Sequence, residues 1–267
     1  MTRSDPNPAD PNAADPNAAD ATPDPAPDPI PEQDQSTGPV PQVFGPDIWI
    51  HDGPQVEGAV GFRFPTRMAL IRLADGGLFV WSPVALTPAL ADWITETGPV
   101  RHIVAPNALH HVFLPAWQVA YPQAQIHGAP GVAEKREEIR FASLLGDAVP
   151  EDWKGQIEQV LIPNRIADEV VFFHRASATV IVTDLLQAMP PGSFRGWRAV
   201  VARLDLMTGD TPRVPRKFRM ALRPRDVVRG RVEHVLGWPA ERLILAHGRP
   251  VTRDAHALLR RAFRWLY

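Results

Sequence analysis

His102-Ile103-Val104-Ala105-Pro106-Asn107-Ala108-Leu109-His110-His111 is an apolar strand that runs into a cluster of polar side chains. Two further stretches share its grammar, Val180-Ile181-Val182-Thr183-Asp184 and Leu243-Ile244-Leu245-Ala246-His247-Gly248. In α/β sheets, side chains just beyond the carboxyl ends of strands face the crevice where ligands bind. Imidazoles and a carboxylate converging there suit Zn²⁺ or Fe, which accept nitrogen and oxygen donors. His110 and His111 are adjacent, so on a helix they project about 100° apart and only one is expected to point into such a crevice. Asn107 either orients a substrate oxygen or caps the helix expected to start near His110.

Outward from these stretches, short apolar runs are bounded by Gly, Pro and Asp. Asp47–His51, Met68–Leu73 and Leu78–Trp81 read as strands, the last two joined by an Asp75-Gly76-Gly77 turn with hairpin chemistry. Thr87-Pro88 is an N-cap and N1 pair, predicting a helix over 88–97. Helices are then expected over 110–121 and near 130–136, and strands at 102–105, 125–127, 157–162, 169–174 and 179–183. Residues 189–237 read as helices broken by Pro and Gly, followed by strand 242–246 and a helix over 252–266. Hairpins followed by alternating strands and helices predict an α/β fold with mixed sheets and helices packed on them. His51, His102, His127, His174, His234 and His256 are read as structural or exposed, with His174 closing a hairpin.

The formal net charge of −2 averages two unlike parts. Residues 1–40 carry eight acids, one base and ten of the 30 prolines, with no aromatic side chain. Residues 1–41 therefore read as an acidic, disordered Pro/Ala/Asp-rich tail, and 42–267 as a single domain. Met-Thr-Arg-Ser-Asp-Pro leads into no apolar run, so no secretion signal is expected. No apolar stretch nears the roughly 18 residues that span a bilayer, so no membrane partner is expected. The absence of cysteine excludes disulfides and thiolate chemistry, and with it the expectation is a cytoplasmic protein. Between 189 and 231 lie eleven bases and three acids. Such a segment could steer an anionic substrate. Arginine supplies 25 of the 28 bases, however, so compositional bias explains much of it, and a nucleic-acid partner is not expected.

The order of elements, together with Pro65-Thr66-Arg67-Met68, Ile103–Asn107 with Leu109-His110-His111, Glu169–Arg175, Thr183-Asp184-Leu185 and Leu245–Gly248, resembles an uncharacterised branch of the metallo-β-lactamase superfamily, a domain family of unknown function. The resemblance covers about residues 44–266. It implies an αββα sandwich, with 189–237 as a helical insert beside the metal crevice. The superfamily's first metal motif is H-x-H-x-D-H. With its last histidine on His111, the earlier ligand positions fall on Pro106, Ala108 and His110, and a further histidine is replaced near Pro163-Asn164-Arg165. What remains is His111, Asp184 and His247, helped by His110. The resemblance thus implies either one Zn or Fe ion or a metal-free site. The first case gives a hydrolase of a small ester, thioester or other anionic substrate, with His110 and Asp184 as catalytic groups. Without metal, general-base help from either is worth about 10²–10⁴-fold. The alternatives are a non-catalytic binding or interaction module and, less favoured, a phosphodiester hydrolase.

Overall fold

The structure, a computed structural model, describes residues 40–267. The acidic tail expected over 1–41 lies, up to residue 39, outside the described residues. Seven strands form the first sheet: β1 (Gln42–Gly45), β2 (Ile48–Glu57), β3 (Arg63–Arg72), β4 (Leu78–Trp81), β5 (Val100–Ala105), β6 (Gln125–Gly128) and β7 (Phe141–Leu144), in sequence order. β1 to β4 pair antiparallel and β4 to β7 parallel. The second sheet contains β8 (Ile157–Ile162), β9 (Glu169–His174), β10 (Thr179–Ala188) and β11 (Arg242–Gly248). Its order is β11-β10-β9-β8, with β10 and β11 parallel. The helices are α1 (Pro88–Thr97), α2 (Leu114–Ala120), α3 (Gly196–Leu204), α4 (Arg216–Ala221), α5 (Arg225–Gly237) and α6 (Ala255–Phe263).

The second sheet is the middle of a sandwich, and its alternation shows why. Successive side chains of a strand point to opposite faces. Val170, Phe172, Ile181, Ile244 and Ala246 join the core shared with the first sheet. Val171, Phe173, Val180, Leu243 and Leu245 join a second core with Val228 and Val232 of α5 and Leu259 of α6. Both faces are dry, so these strands read as continuous apolar runs. Across the first interface Phe79 meets Phe172 and Trp153 edge-on, at centroid distances of 5.8 and 5.0 Å. Thr87 caps α1 by accepting the Leu90 N–H at 3.2 Å, as its sequence predicts. Among the described residues, no helix is long and apolar enough to cross a membrane.

Some element boundaries differ from expectation for local reasons. The helix expected over 110–121 starts only at Leu114, where Pro115 occupies the first turn. Residues 107–110 instead form a turn, because Asn107 Oδ1 accepts the N–H groups of Leu109 and His110 at 2.8 and 3.1 Å. An Asn that binds its own downstream backbone offers the chain an alternative to helix. The helix expected near 130–136 is a single 3-10 turn, Ala133–Lys135. The C-terminal helix is shorter than 252–266, ending at Phe263 before a 3-10 turn. β10 runs on to Ala188 rather than stopping at 183, through a break in its pairing with β11 between Val182 and Gln187. That break shapes the site.

Candidate metal centre

Where β10 leaves its ladder with β11, three successive peptide N–H groups lose strand partners. The carboxylate of Glu169, at the start of β9, takes them. Its Oε1 accepts from Thr183 N at 2.7 Å, and its Oε2 accepts from Asp184 N and Leu185 N at 2.9 Å each. Glu169 is fully enclosed, and burial, followed by the charge of Asp184, pushes its carboxyl up to about 7 against these hydrogen bonds. The clamp holds the bulge in one conformation and aims Asp184 at the gap between the two sheets.

Asp184 meets two histidines there. His110 Nε2 lies 3.3 Å from Asp184 Oδ2, and His247 Nε2 lies 3.3 Å from Oδ1. One donor atom from each of His110, Asp184 and His247 lies within 4.8 Å of the others. Burial alone would raise the Asp184 carboxyl, but hydrogen bonding and charge from His110 and His247 hold it well below its usual range. Burial lowers the His110 imidazole, only partly opposed by Asp184. The group is therefore an ionised carboxylate between two rings, at least one of them held neutral.

The far side of each ring is fixed. His247 Nδ1 faces the carbonyl oxygen of Pro65 at 3.0 Å. A carbonyl only accepts, so Nδ1 carries the proton, and Nε2 is the ring nitrogen that faces Asp184. His110 Nδ1 is 2.8 Å from Ser82 Oγ. Ser82 follows β4 with a φ of 51°, a left-handed conformation uncommon for a non-glycine residue. Arg67 ties the end of β11 to the first sheet. It donates to Asp52 Oδ1 and Oδ2 at 2.6 and 3.0 Å, to the Leu245 carbonyl at 2.7 Å, and to the Gly248 carbonyl. Asn107 closes the floor by donating to Asp184 Oδ2 and Thr183 Oγ1, both at 2.8 Å.

Expectation needs one correction. His111 is not the histidine that joins Asp184 and His247. Its Nδ1 accepts from Arg136 Nε at 2.8 Å, and burial together with Arg136 and Lys135 depresses its pKa to about 4. The turn set by Asn107 presents His110 instead. With H-x-H-x-D-H ending on His110, the earlier ligand positions fall on Ala105, Asn107 and Leu109. Neither registration supplies the other ligands. Glu169, Ser82 and Arg67 carry the surrounding structure, yet sequence reasoning gave them no role at the site. The only hint was that Glu169 and Arg67 lie in stretches carrying the family resemblance. His174, by contrast, bonds Ser177 at 2.8 Å and pairs with Thr179 across the hairpin, as expected.

The three residues sit at the floor of a cavity of about 880 Å³. Its walls are mostly apolar, including Phe62, Phe64, Val201, Leu204, Met207 and Phe218. Of the eleven bases in 189–231, only Arg216 and Lys217 line it, alongside the acids Glu57 and Asp205. Lys217 Nζ lies 3.7 Å from Asp205 Oδ2. Of the others, Arg198 donates to the carbonyl of Val60, which lines the cavity, Arg219 and Arg225 lie over Trp265, and Arg231 pairs with Asp147. The basic segment thus builds a cavity wall and brings only a few of its charges near the mouth.

An αββα sandwich with His and Asp side chains at its rim is the metallo-β-lactamase fold, and the chain has that fold. The family described as a domain of unknown function (DUF4336) matches residues 46–134. No curated protein matches in sequence. Among solved structures, a metal-soaked Flv1 flavodiiron core from Synechocystis sp. PCC6803 superposes with a TM-score of 0.57 at 13% identity, covering 85% of this chain. The chain spans 60% of the length of that flavodiiron core. DIM-1 metallo-β-lactamase exposed to ceftazidime gives a TM-score of 0.57 at 12% identity, covering 85% of this chain and 97% of its own. FIM-1 metallo-β-lactamase from Pseudomonas aeruginosa, in its mono-zinc form, gives 0.53 at 12%, covering 84% and 94%.

Proposed function

We propose that the chain is a metal-dependent hydrolase of an ester or thioester, working with a single ion held by His110, Asp184 and His247. The observation that carries this is the pair of 3.3 Å separations between the imidazole Nε2 atoms and the Asp184 oxygens. Charge-assisted N–H···O bonds are shorter, about 2.7–2.9 Å. Donors bound at about 2.0–2.1 Å around a tetrahedral ion stand about 3.3–3.4 Å apart. The spacing is long for a charge-assisted bond, and the convergence of one donor atom from each residue within 4.8 Å supports a cation among the three.

Two imidazoles and one carboxylate leave at least one open position, and the set suits zinc or non-haem iron. The Pro65 carbonyl fixes Nδ1 of His247 as a donor, and the Ser82 hydroxyl, which can donate or accept, holds the His110 ring in place. Bound there, the ion supplies Lewis acidity, polarising a substrate carbonyl and acidifying water. Asp184, held ionised, keeps the two rings oriented. Asn107, whose amide fills the side of Asp184 where the superfamily's other ligands would stand, supports one ion rather than two. A non-catalytic binding module remains the alternative, supported by those missing ligands.

The test is hydrolysis of p-nitrophenyl and thioester substrates by protein reconstituted with zinc or iron. Turnover is expected to fall at least 100-fold in EDTA and in H247A, with folding retained. Equal turnover in H247A would overturn the proposal.

A further inference from the structure

The cavity floor and its walls have opposite chemistry, and the walls constrain what is hydrolysed. Apolar side chains that line the cavity continue onto the surface at its mouth: Val60 is 69% exposed, Leu204 61%, Ile166 47%, Val112 45% and Val201 42%. Monomeric proteins rarely leave a contiguous apolar surface open unless something covers it. Among the side chains that line the cavity, Arg216 and Lys217 are matched by Glu57 and Asp205, so the lining charge does not single out a small anion. A cavity of about 880 Å³ also exceeds the needs of an acetyl group, since sites for drug-sized ligands span roughly 300–1,000 Å³.

Resting on the hydrolase reading above, we infer that the substrate is an ester or thioester of a medium- to long-chain apolar acyl group. The acyl carbonyl lies at His110, Asp184 and His247, and the chain runs along Phe62, Phe64, Met207, Val201 and Leu204 to the mouth. In the reaction, water adds to the acyl carbon, and the bond from that carbon to the alcohol oxygen or thiol sulfur breaks. The products are a carboxylate and an alcohol or thiol, with one water proton going to the leaving group and the other to solvent.

The experiment measures kcat/KM of the metal-reconstituted full chain for p-nitrophenyl esters from acetate to decanoate. Each methylene moved from water to an apolar wall is worth about 0.8 kcal/mol, a rise of about fourfold per methylene. The expected result is a rise of threefold to fourfold per CH₂ up to about eight carbons. V201E, at a half-exposed position, should cut the octanoate-to-acetate ratio at least tenfold. A flat or falling series, or an unchanged ratio in V201E, overturns the proposal.

A second measurement separates this from the metal chemistry: displacement of a cavity-bound anilinonaphthalene sulfonate by butanol to decanol on H110A/H247A. Chain-length-dependent displacement, with no turnover of any ester by the metal-reconstituted native protein, would support the apolar site and refute the hydrolase reading. Displacement independent of chain length would refute the apolar site whatever the turnover.

Discussion

Glu169 is the residue on which the geometry of Asp184 depends, and removing its carboxylate has two separable consequences. In E169A the peptide N–H groups of Thr183, Asp184 and Leu185 lose their acceptor inside the sandwich. An unsatisfied buried donor costs about 1–3 kcal/mol, so three of them should cost roughly 3–9 kcal/mol. Against a total stability of about 5–15 kcal/mol, this is a large fraction. E169Q keeps one acceptor oxygen and presents its NH₂ to a donor, so about 1–3 kcal/mol is expected.

The second consequence is a pH dependence. The Glu169 carboxyl titrates at about 7 in the fold and near its ordinary value of 4.5 when unfolded. Between those values the native state binds more protons than the unfolded chain, so this group lowers stability as pH rises from 4.5 to 7. A shift of that size corresponds to roughly 3 kcal/mol, which E169Q removes. The assay is urea unfolding in EDTA at pH 5, 6, 7 and 8, comparing native protein with both variants. If E169A lies within about 1 kcal/mol of native at every pH, or E169Q follows the native pH slope, the clamp described here is wrong.

Other outcomes follow from the same geometry. Ser82→Gly removes the His110 hydrogen bond but relieves a left-handed backbone, so unfolding stability should stay level or rise by up to about 1 kcal/mol while metal affinity falls about 10–100-fold. His111→Ala should leave metal affinity within about threefold of native, whereas His110→Ala should abolish it, both by competitive titration against a zinc chelator. In Gly248→Ala the new Cβ would meet the Ala188 carbonyl at 2.7 Å and disturb the carbonyl held by Arg67, so loosened metal binding is expected by the same titration. Burial depresses His127 and His174 to about 4, so the unfolded chain binds more protons between pH 4 and 6.5. Their contribution, roughly 3 kcal/mol each, is complete above pH 6.5 and lost as pH falls towards 4, outweighing the opposite trend of Glu169. H127N should flatten that acid limb; an unchanged limb would contradict it.

The sandwich was legible because its physics is local. Short apolar runs at 157–162 and 169–174, a Thr-Pro cap at 87–88 and a Gly-rich turn at 76–77 each declare an element without knowledge of the rest. Asp184 and His247 were legible too, since each ends an apolar strand. The identity of the first histidine was not. His110 and His111 differ only in where a turn points them, and that turn is set by the side chain of Asn107. Glu169 escaped because its role depends on a break in β10 pairing that nothing in Thr179–Ala188 announces. The charge of 189–231 could not place a partner for a related reason: a sum along the chain does not say which side chains reach the cavity.

Metal content tests the central claim most directly. Full-length protein purified without an affinity tag, reconstituted with zinc or ferrous iron and freed of excess, should carry one ion per chain by elemental analysis, and less than a tenth in H110A or H247A. Two ions per chain would contradict the single-ion site. Less than a tenth of an ion in the native protein after reconstitution would refute it altogether.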